Sequence, residues 1–207
     1  MLGVCVLVPV MVWWQSVGDM RVYIDYRTPP GQTLYVLSKL AGLYALFLGW
    51  LQILLMLMKQ SAPDGIARRW SLAFHRAFGF TVLGCMTLHV ALFVAAASLR
   101  TGHVAFGLLA PNFNGFYATA VSLGLFGFYG IVIVAIAGVL RAAGRARAAW
   151  VHYAALPAFG LTYLHSLLIG TETRAEPMLA LYAIMGVTLL VACVFRLNRL
   201  RAGSRST

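Results

Sequence analysis

Acidic residues are scarce in this sequence. Five Asp and Glu stand against sixteen Lys and Arg, and only 10% of the 207 residues are charged. With 61% of the chain hydrophobic, this excludes an ordinary soluble domain, in which about 25% of residues are charged. Cysteine is sparse as well. Cys5, Cys85 and Cys193 all fall in apolar stretches and no Cys-x-x-Cys spacing occurs, so they read as small core or lipid-facing residues, not disulfides or metal ligands. No Gly-x-Gly-x-x-Gly stands outside the apolar stretches, and the polar tail 201–207 is too short to fold a flavin domain. The chain therefore shows no site of its own for a soluble reductant. The short alternating segments of a closed strand barrel are missing too. A helical membrane protein remains.

Hydropathy resolves into six spans, at about 2–17, 34–58, 72–99, 117–140, 150–170 and 178–197. A hydrocarbon core ~30 Å thick needs ~20 apolar residues per helix, and all but the first span reach that comfortably. The first is marginal. It lacks the positive n-region of a secretory signal, and Trp13-Trp14 reads as an interfacial anchor. The expected fold is one all-α domain over 1–207, a six-transmembrane-helix bundle. The formal charge of +11 suggests nucleic acid until its placement is considered. One face collects Lys59, Arg68, Arg69 and Arg76, then Arg141, Arg145 and Arg147, then Arg196, Arg199, Arg201 and Arg205. The other holds Asp19, Asp25, Glu172 and Glu176 with Arg21, Arg27, Arg100 and Arg174. An excess of Lys and Arg marks the cytoplasmic side, which puts both termini on the cytoplasmic face of the membrane. The basic clusters then serve topology and contact with anionic lipid, not nucleic acid.

Four histidines lie inside apolar helical stretches: His75 and His89, fourteen residues apart, and His152 and His165, thirteen apart. An ionisable ring at hydrocarbon depth usually marks a site. Fourteen residues turn a helix through ~1400°, four turns less ~40°, and raise it ~21 Å, so both third-span rings leave one face. Thirteen residues raise the fifth span ~19.5 Å but leave its rings ~140° apart on an ideal helix. Pro157 and Gly160 could supply a compensating kink. The third and fifth spans run in the same direction, so His75 meets His152 at the inner level and His89 meets His165 at the outer level. Each pair could hold one haem iron from opposite faces, giving two six-coordinate centres suited to electron transfer. A proton relay or non-haem metal site would instead gather the rings together. A transporter would need acids within the spans, and all five lie outside them.

Gly79, Gly84 and Gly160 stand four or five residues from these histidines, and missing side chains there would make room for a flat macrocycle. Ordinary small-residue helix packing is the competing account. Arg76, beside an inner ligand, could pair with a haem propionate, as could Arg68, Arg69, Arg145 or Arg147. His103 falls in the outer loop and reads as a solvated residue.

The run Arg68-Arg69-Trp70, Phe74-His75-Arg76, Gly79 and Leu88-His89, followed by His152 and His165, resembles the ferric reductase-like transmembrane domain. That family includes the membrane parts of ferric reductases and NADPH oxidases and the haem-bearing membrane subunit of the bacterial methionine sulfoxide reductase system. The resemblance implies two b-type haems, an inner one on His75 and His152 and an outer one on His89 and His165. Phe93 stands where the oxidases carry a further histidine, so superoxide production is not implied. The resemblance points to a standalone electron-transfer subunit rather than a complete enzyme. Its donor would be a cytoplasmic soluble flavoprotein or a quinol, so that flavin or quinone enters through a partner. Its acceptor would be a protein or ferric iron at the outer face. The alternative is a non-catalytic membrane subunit with only a structural or haem-binding role.

Overall fold

A computed structural model describes residues 2–25, 28–58, 65–145, 147–174 and 176–203. Among them the regular structure is entirely helical: α1 (Leu2–Val17), α2 (Arg21–Asp25), α3 (Gln32–Met58), α4 (Gly65–Thr101), α5 (Phe116–Ala142), α6 (Ala148–His152), α7 (Ala155–Ile169) and α8 (Glu176–Gly203), with 3-10 turns at Phe106–Leu109 and Thr171–Arg174. Backbone amides and carbonyls that cannot reach water must bond within their own segment, which helices alone do here. Four helices are long and apolar enough to cross a membrane, over Gln32–Leu57, Ala73–Thr101, Phe116–Ala142 and Met178–Asn198.

The expected six spans thus resolve into four of spanning length plus two shorter apolar segments. α1 is one of these. The other is the expected fifth span, which is broken into α6 and α7 with a turn at Tyr153-Ala154. Pro157 accounts for the break, because its ring would clash with the carbonyl four residues earlier, that of Tyr153. The amides of Tyr153 and Ala154 turn back three residues instead, to Trp150 and Val151, and regular α-helical bonding resumes with Ala158 to Ala154. The disruption falls one turn ahead of the proline. Two other boundaries shift. The expected inner loop 59–71 is helical from Gly65 onward, since Ile66, Ala67 and the following residues sustain a helix beyond the hydrocarbon; its remainder, 59–64 with Pro63 and Asp64, lies outside the described residues. The expected tail at 201 is helical through Gly203.

α5 ends as its sequence dictates. Gly144 takes φ +86°, the Arg145 amide bonds the Leu140 carbonyl and the Gly144 amide bonds that of Arg141. This satisfies carbonyls left without helical partners.

The helices form two packed groups. In the first, α3 contacts α1, α4 and α8; in the second, α5 contacts α6 and α7. The main core joins Trp13 of α1, Leu43 and Phe47 of α3, Phe159 of α7, and Tyr182 and Met185 of α8. The Trp13 indole N–H donates to the Val36 carbonyl at 2.7 Å in this core, fastening α1 to α3. α5 and α7 approach closely because α5 presents glycines. A Cβ on Gly127 would stand 3.0 Å from the Ala158 carbonyl oxygen and the Thr162 amide nitrogen, and one on Gly130 2.8 Å from the Ala158 side chain. Such small-residue seams let membrane helices pack backbone to backbone.

Gly127→Ala should therefore destabilise the protein by about 1–3 kcal/mol, the usual cost of overpacking. Gly160→Ala, whose new methyl meets nothing within 4 Å, should stabilise α7 by about 0.4–1 kcal/mol. Thermal unfolding of the two variants in one detergent checks the pair; equal effects would refute the seam.

Candidate functional site

The two groups of helices enclose a cavity of about 1610 Å³ between α3–α4 on one side and α5–α7 on the other. A site for one drug-sized ligand usually occupies roughly 300–1,000 Å³. All four apolar-stretch histidines line it. The ring centroids of His75 and His152 are 5.8 Å apart with planes at 90°. Those of His89 and His165 are 6.4 Å apart at 70°. Two imidazoles bound to one metal from opposite sides, at ~2.0–2.1 Å per bond, hold their centroids about 6.3 Å apart. Both gaps are close to that value.

Each ring is also held from behind. His89 Nδ1 lies 2.7 Å from the Ser38 carbonyl, His165 Nδ1 2.8 Å from that of Ala120, and His152 Nδ1 3.2 Å from that of Val134. A carbonyl can only accept, so in all three rings Nδ1 carries the proton and Nε2 keeps its lone pair. That is the tautomer a metal ligand needs, fixed by an outer partner. His75 differs. Gln52 Nε2 lies 3.2 Å from the His75 Nδ1 and 3.4 Å from the His75 backbone carbonyl oxygen, so an amide N–H rather than a carbonyl stands behind this ring.

The residue numbers show the register. Ser38 faces His89 and Gln52 faces His75, so α3 and α4 are antiparallel with a shared fourteen-residue interval. Ala120 faces His165 and Val134 faces His152, so α5 also spaces its anchors by fourteen. The thirteen-residue interval from His152 to His165 is accommodated at the turn between α6 and α7. That turn makes up the angle an unbroken helix would miss.

The glycines divide. Gly79 lines the cavity and faces Gln52, where its Cβ would stand 3.2 Å from Nε2. Gly84 and Gly160 do not line this cavity, and a Cβ on either meets nothing within 4 Å. Gly160 borders a shallow apolar notch against Gly186 of α8 instead. Room beside the rings is made on the facing helices, by Gly42, Gly124 and Gly138. Those three, with Gln52, are what the sequence reading missed. Gln52 is a carboxamide inside an apolar helix, fourteen residues after Ser38, and Gly124 and Gly138 repeat the same interval.

At the end of the cavity nearer His75 and His152, Arg76 lines the wall with Arg141 of α5 and Arg196 of α8. At the opposite end, Lys39 Nζ pairs with Glu172 Oε1 at 2.6 Å. The hydroxyls of Ser16 and Thr171 also donate to that carboxylate. Glu172, expected in an open outer loop, is buried at 6% exposure. His103 is exposed and its Nδ1 bonds the Thr101 carbonyl, apart from the cavity. Among the described residues no three of His, Cys, Asp and Glu gather as they would around a non-haem metal. Each facing pair brings two imidazoles together.

Removing one partner of a buried ion pair strands the other. Lys39→Met should cost about 3 kcal/mol, the lower part of the usual range because two hydroxyls still reach Glu172. The double change Lys39→Met with Glu172→Gln should recover most of it, and a thermal double-mutant cycle reads the coupling. Compared with known proteins, the chain matches no protein-family model, no curated protein and no solved structure.

Proposed function

We propose that this protein is a di-haem b-type membrane cytochrome. It would pass electrons across a bacterial cytoplasmic membrane, from a cytoplasmic flavoprotein or quinol to an acceptor at the outer face, as the membrane subunit of a reductase system. One observation carries the reading: two histidine pairs, four helical turns apart, face each other across one cavity with centroid gaps of 5.8 and 6.4 Å. Bis-histidine haem supplies one-electron chemistry and leaves no open position for oxygen. The likeness of the histidine run to the ferric reductase-like transmembrane domain supports the same reading. In it the chain crosses the membrane six times, α1 and α6–α7 included, with both termini cytoplasmic.

The chain's own residues have defined tasks in this scheme. His75 with His152, and His89 with His165, would hold the two irons through Nε2, while the Ser38, Ala120 and Val134 carbonyls accept from three of the rings and Gln52 meets the fourth. Arg76, Arg141 and Arg196 place three guanidinium groups at the inner end of the cavity, where propionate carboxylates would find charge-assisted donors. The exposed arginines of the same face, Arg141, Arg145 and Arg147, would steer an acidic donor protein toward it. The buried Lys39–Glu172 pair closes the outer end.

The purified protein should show b-type absorption on reduction and carry about two haems per chain. The steep angles between ring planes predict highly anisotropic low-spin ferric EPR signals. His89→Leu and His165→Leu should each abolish the outer centre and leave the inner one. A folded, haem-free protein, or retention of both centres in these variants, would overturn the assignment.

A further inference from the structure

Three of the four rings are anchored by one repeated device. The acceptor carbonyl belongs to residue i of the facing helix, and residue i+4 of that helix is glycine: Ser38 with Gly42, Ala120 with Gly124, Val134 with Gly138. Within a helix the carbonyl of residue i accepts from the amide of i+4. Cβ atoms tilt toward the helix N-terminus, so the side chain at i+4 lies over that oxygen. Glycine uncovers the oxygen's second lone pair, and an incoming imidazole can reach it. The glycine positions bear this out: a Cβ would stand 2.6 Å from His165 Nδ1 at Gly124, 3.0 Å from His89 Nδ1 at Gly42, and 3.4 Å from His152 Cε1 at Gly138. The fourth ring breaks the rule in a consistent way. Fourteen residues beyond Ser38 on α3 stands Gln52, whose side chain meets His75 where the other rings meet a backbone oxygen.

We infer that Gly42, Gly124 and Gly138 are positioning residues for the haem ligands: each opens a helix carbonyl to an imidazole Nδ1–H and so sets the ring's tautomer and direction. The inference rests on the proposed di-haem function and adds to it a requirement on residues that supply no ligand atom. Its effect is graded. Gly124 and Gly42, with the shortest carbonyl bonds and the least room, govern the outer pair. Gly138, where a methyl finds ordinary van der Waals contact, governs His152 more loosely. A purely structural role, as small residues permitting close helix packing, would instead affect the whole bundle.

The test uses the full-length protein with Gly124→Ala, Gly42→Ala, Gly138→Ala and, away from the cavity, Gly84→Ala. The readouts are haem transfer to excess apomyoglobin, the EPR signal of each centre and its midpoint potential, with His75→Ala and His89→Ala assigning the two centres. Gly124→Ala and Gly42→Ala should weaken haem retention at the outer centre by roughly 10- to 100-fold, the scale of changes to a ligand's outer partner, and alter its EPR signal. The inner centre should be unchanged and so report that the chain is folded. Gly138→Ala should produce a smaller effect, confined to the inner centre, and Gly84→Ala none. The inference is overturned if Gly124→Ala and Gly42→Ala leave the outer centre as in the parent, or if either removes both centres together. A parent protein that is folded and binds no haem would overturn the proposed function and this inference with it.

Discussion

An imidazole N–H placed in an apolar interior must find an acceptor, and in this bundle that single requirement organises the site. An unpaired donor in such surroundings costs several kcal/mol. Helix interiors have few acceptors to give, because their carbonyls already serve the amide four residues on. The bundle solves this by backing each histidine-bearing helix with a neighbour that lends an oxygen: α3 stands behind α4, and α5 stands behind α6 and α7. Once the rings are tied at Nδ1 they can only turn Nε2 inward. The cavity follows from these ties, since the helices that carry the rings are held to their backing helices rather than to each other.

The same logic explains why the tight packing lies where it does. The large side chains of the core, Trp13, Phe47, Phe159 and Tyr182, fill the side of α3 that faces α1 and α8. The cavity side carries the four rings and several glycines set among apolar side chains such as Phe80, Phe93 and Phe128. α5 combines both functions within one helix. Gly127 and Gly130 bring α7 into backbone contact, while Gly124 and Gly138, at either end of that seam, admit His165 and His152. Tyr163, on another face of α7, donates to the Tyr182 carbonyl at 2.8 Å, and the hydroxyls of Ser166 and Tyr182 bond each other. α7 is thus fixed on two sides and His165 has little freedom.

Much of this was legible in the sequence because its signals are periodic. Apolar runs fix where helices lie, and α1, α3, α5 and α8 begin within two residues of the expected limits. The fourteen-residue interval places His75 and His89 on one face of α4 with no further information. What escaped was information that side chains do not carry. The acceptors for three rings are backbone carbonyls of Ser38, Ala120 and Val134, and a backbone oxygen is available at every residue. Only the glycine four positions on distinguishes these, and glycine is common in membrane helices for other reasons. Glycines beside the histidines in sequence, Gly84 and Gly160, face no ring, and the room lies on the opposite helix at Gly42, Gly124 and Gly138. The burial of Glu172 is not legible locally, because its partner, Lys39, lies far away in sequence.

The break between α6 and α7 shows how a local rule and a distant constraint can agree. Taken alone, thirteen residues between His152 and His165 argue against the rings sharing a face. Pro157 forbids a continuous helix through Tyr153, and the tighter three-residue bonding of Tyr153 and Ala154 adds both rotation and rise per residue. The anchors on α5 make this correction meaningful: they stand fourteen apart, at Ala120 and Val134, matching the interval on α4. An uninterrupted α7 could satisfy His165 at Ala120 or His152 at Val134, but its two rings would leave different faces and one donor would be stranded. The proline therefore acts at a distance from the rings. By breaking the helix one turn ahead of itself, it lets a thirteen-residue segment follow a fourteen-residue template.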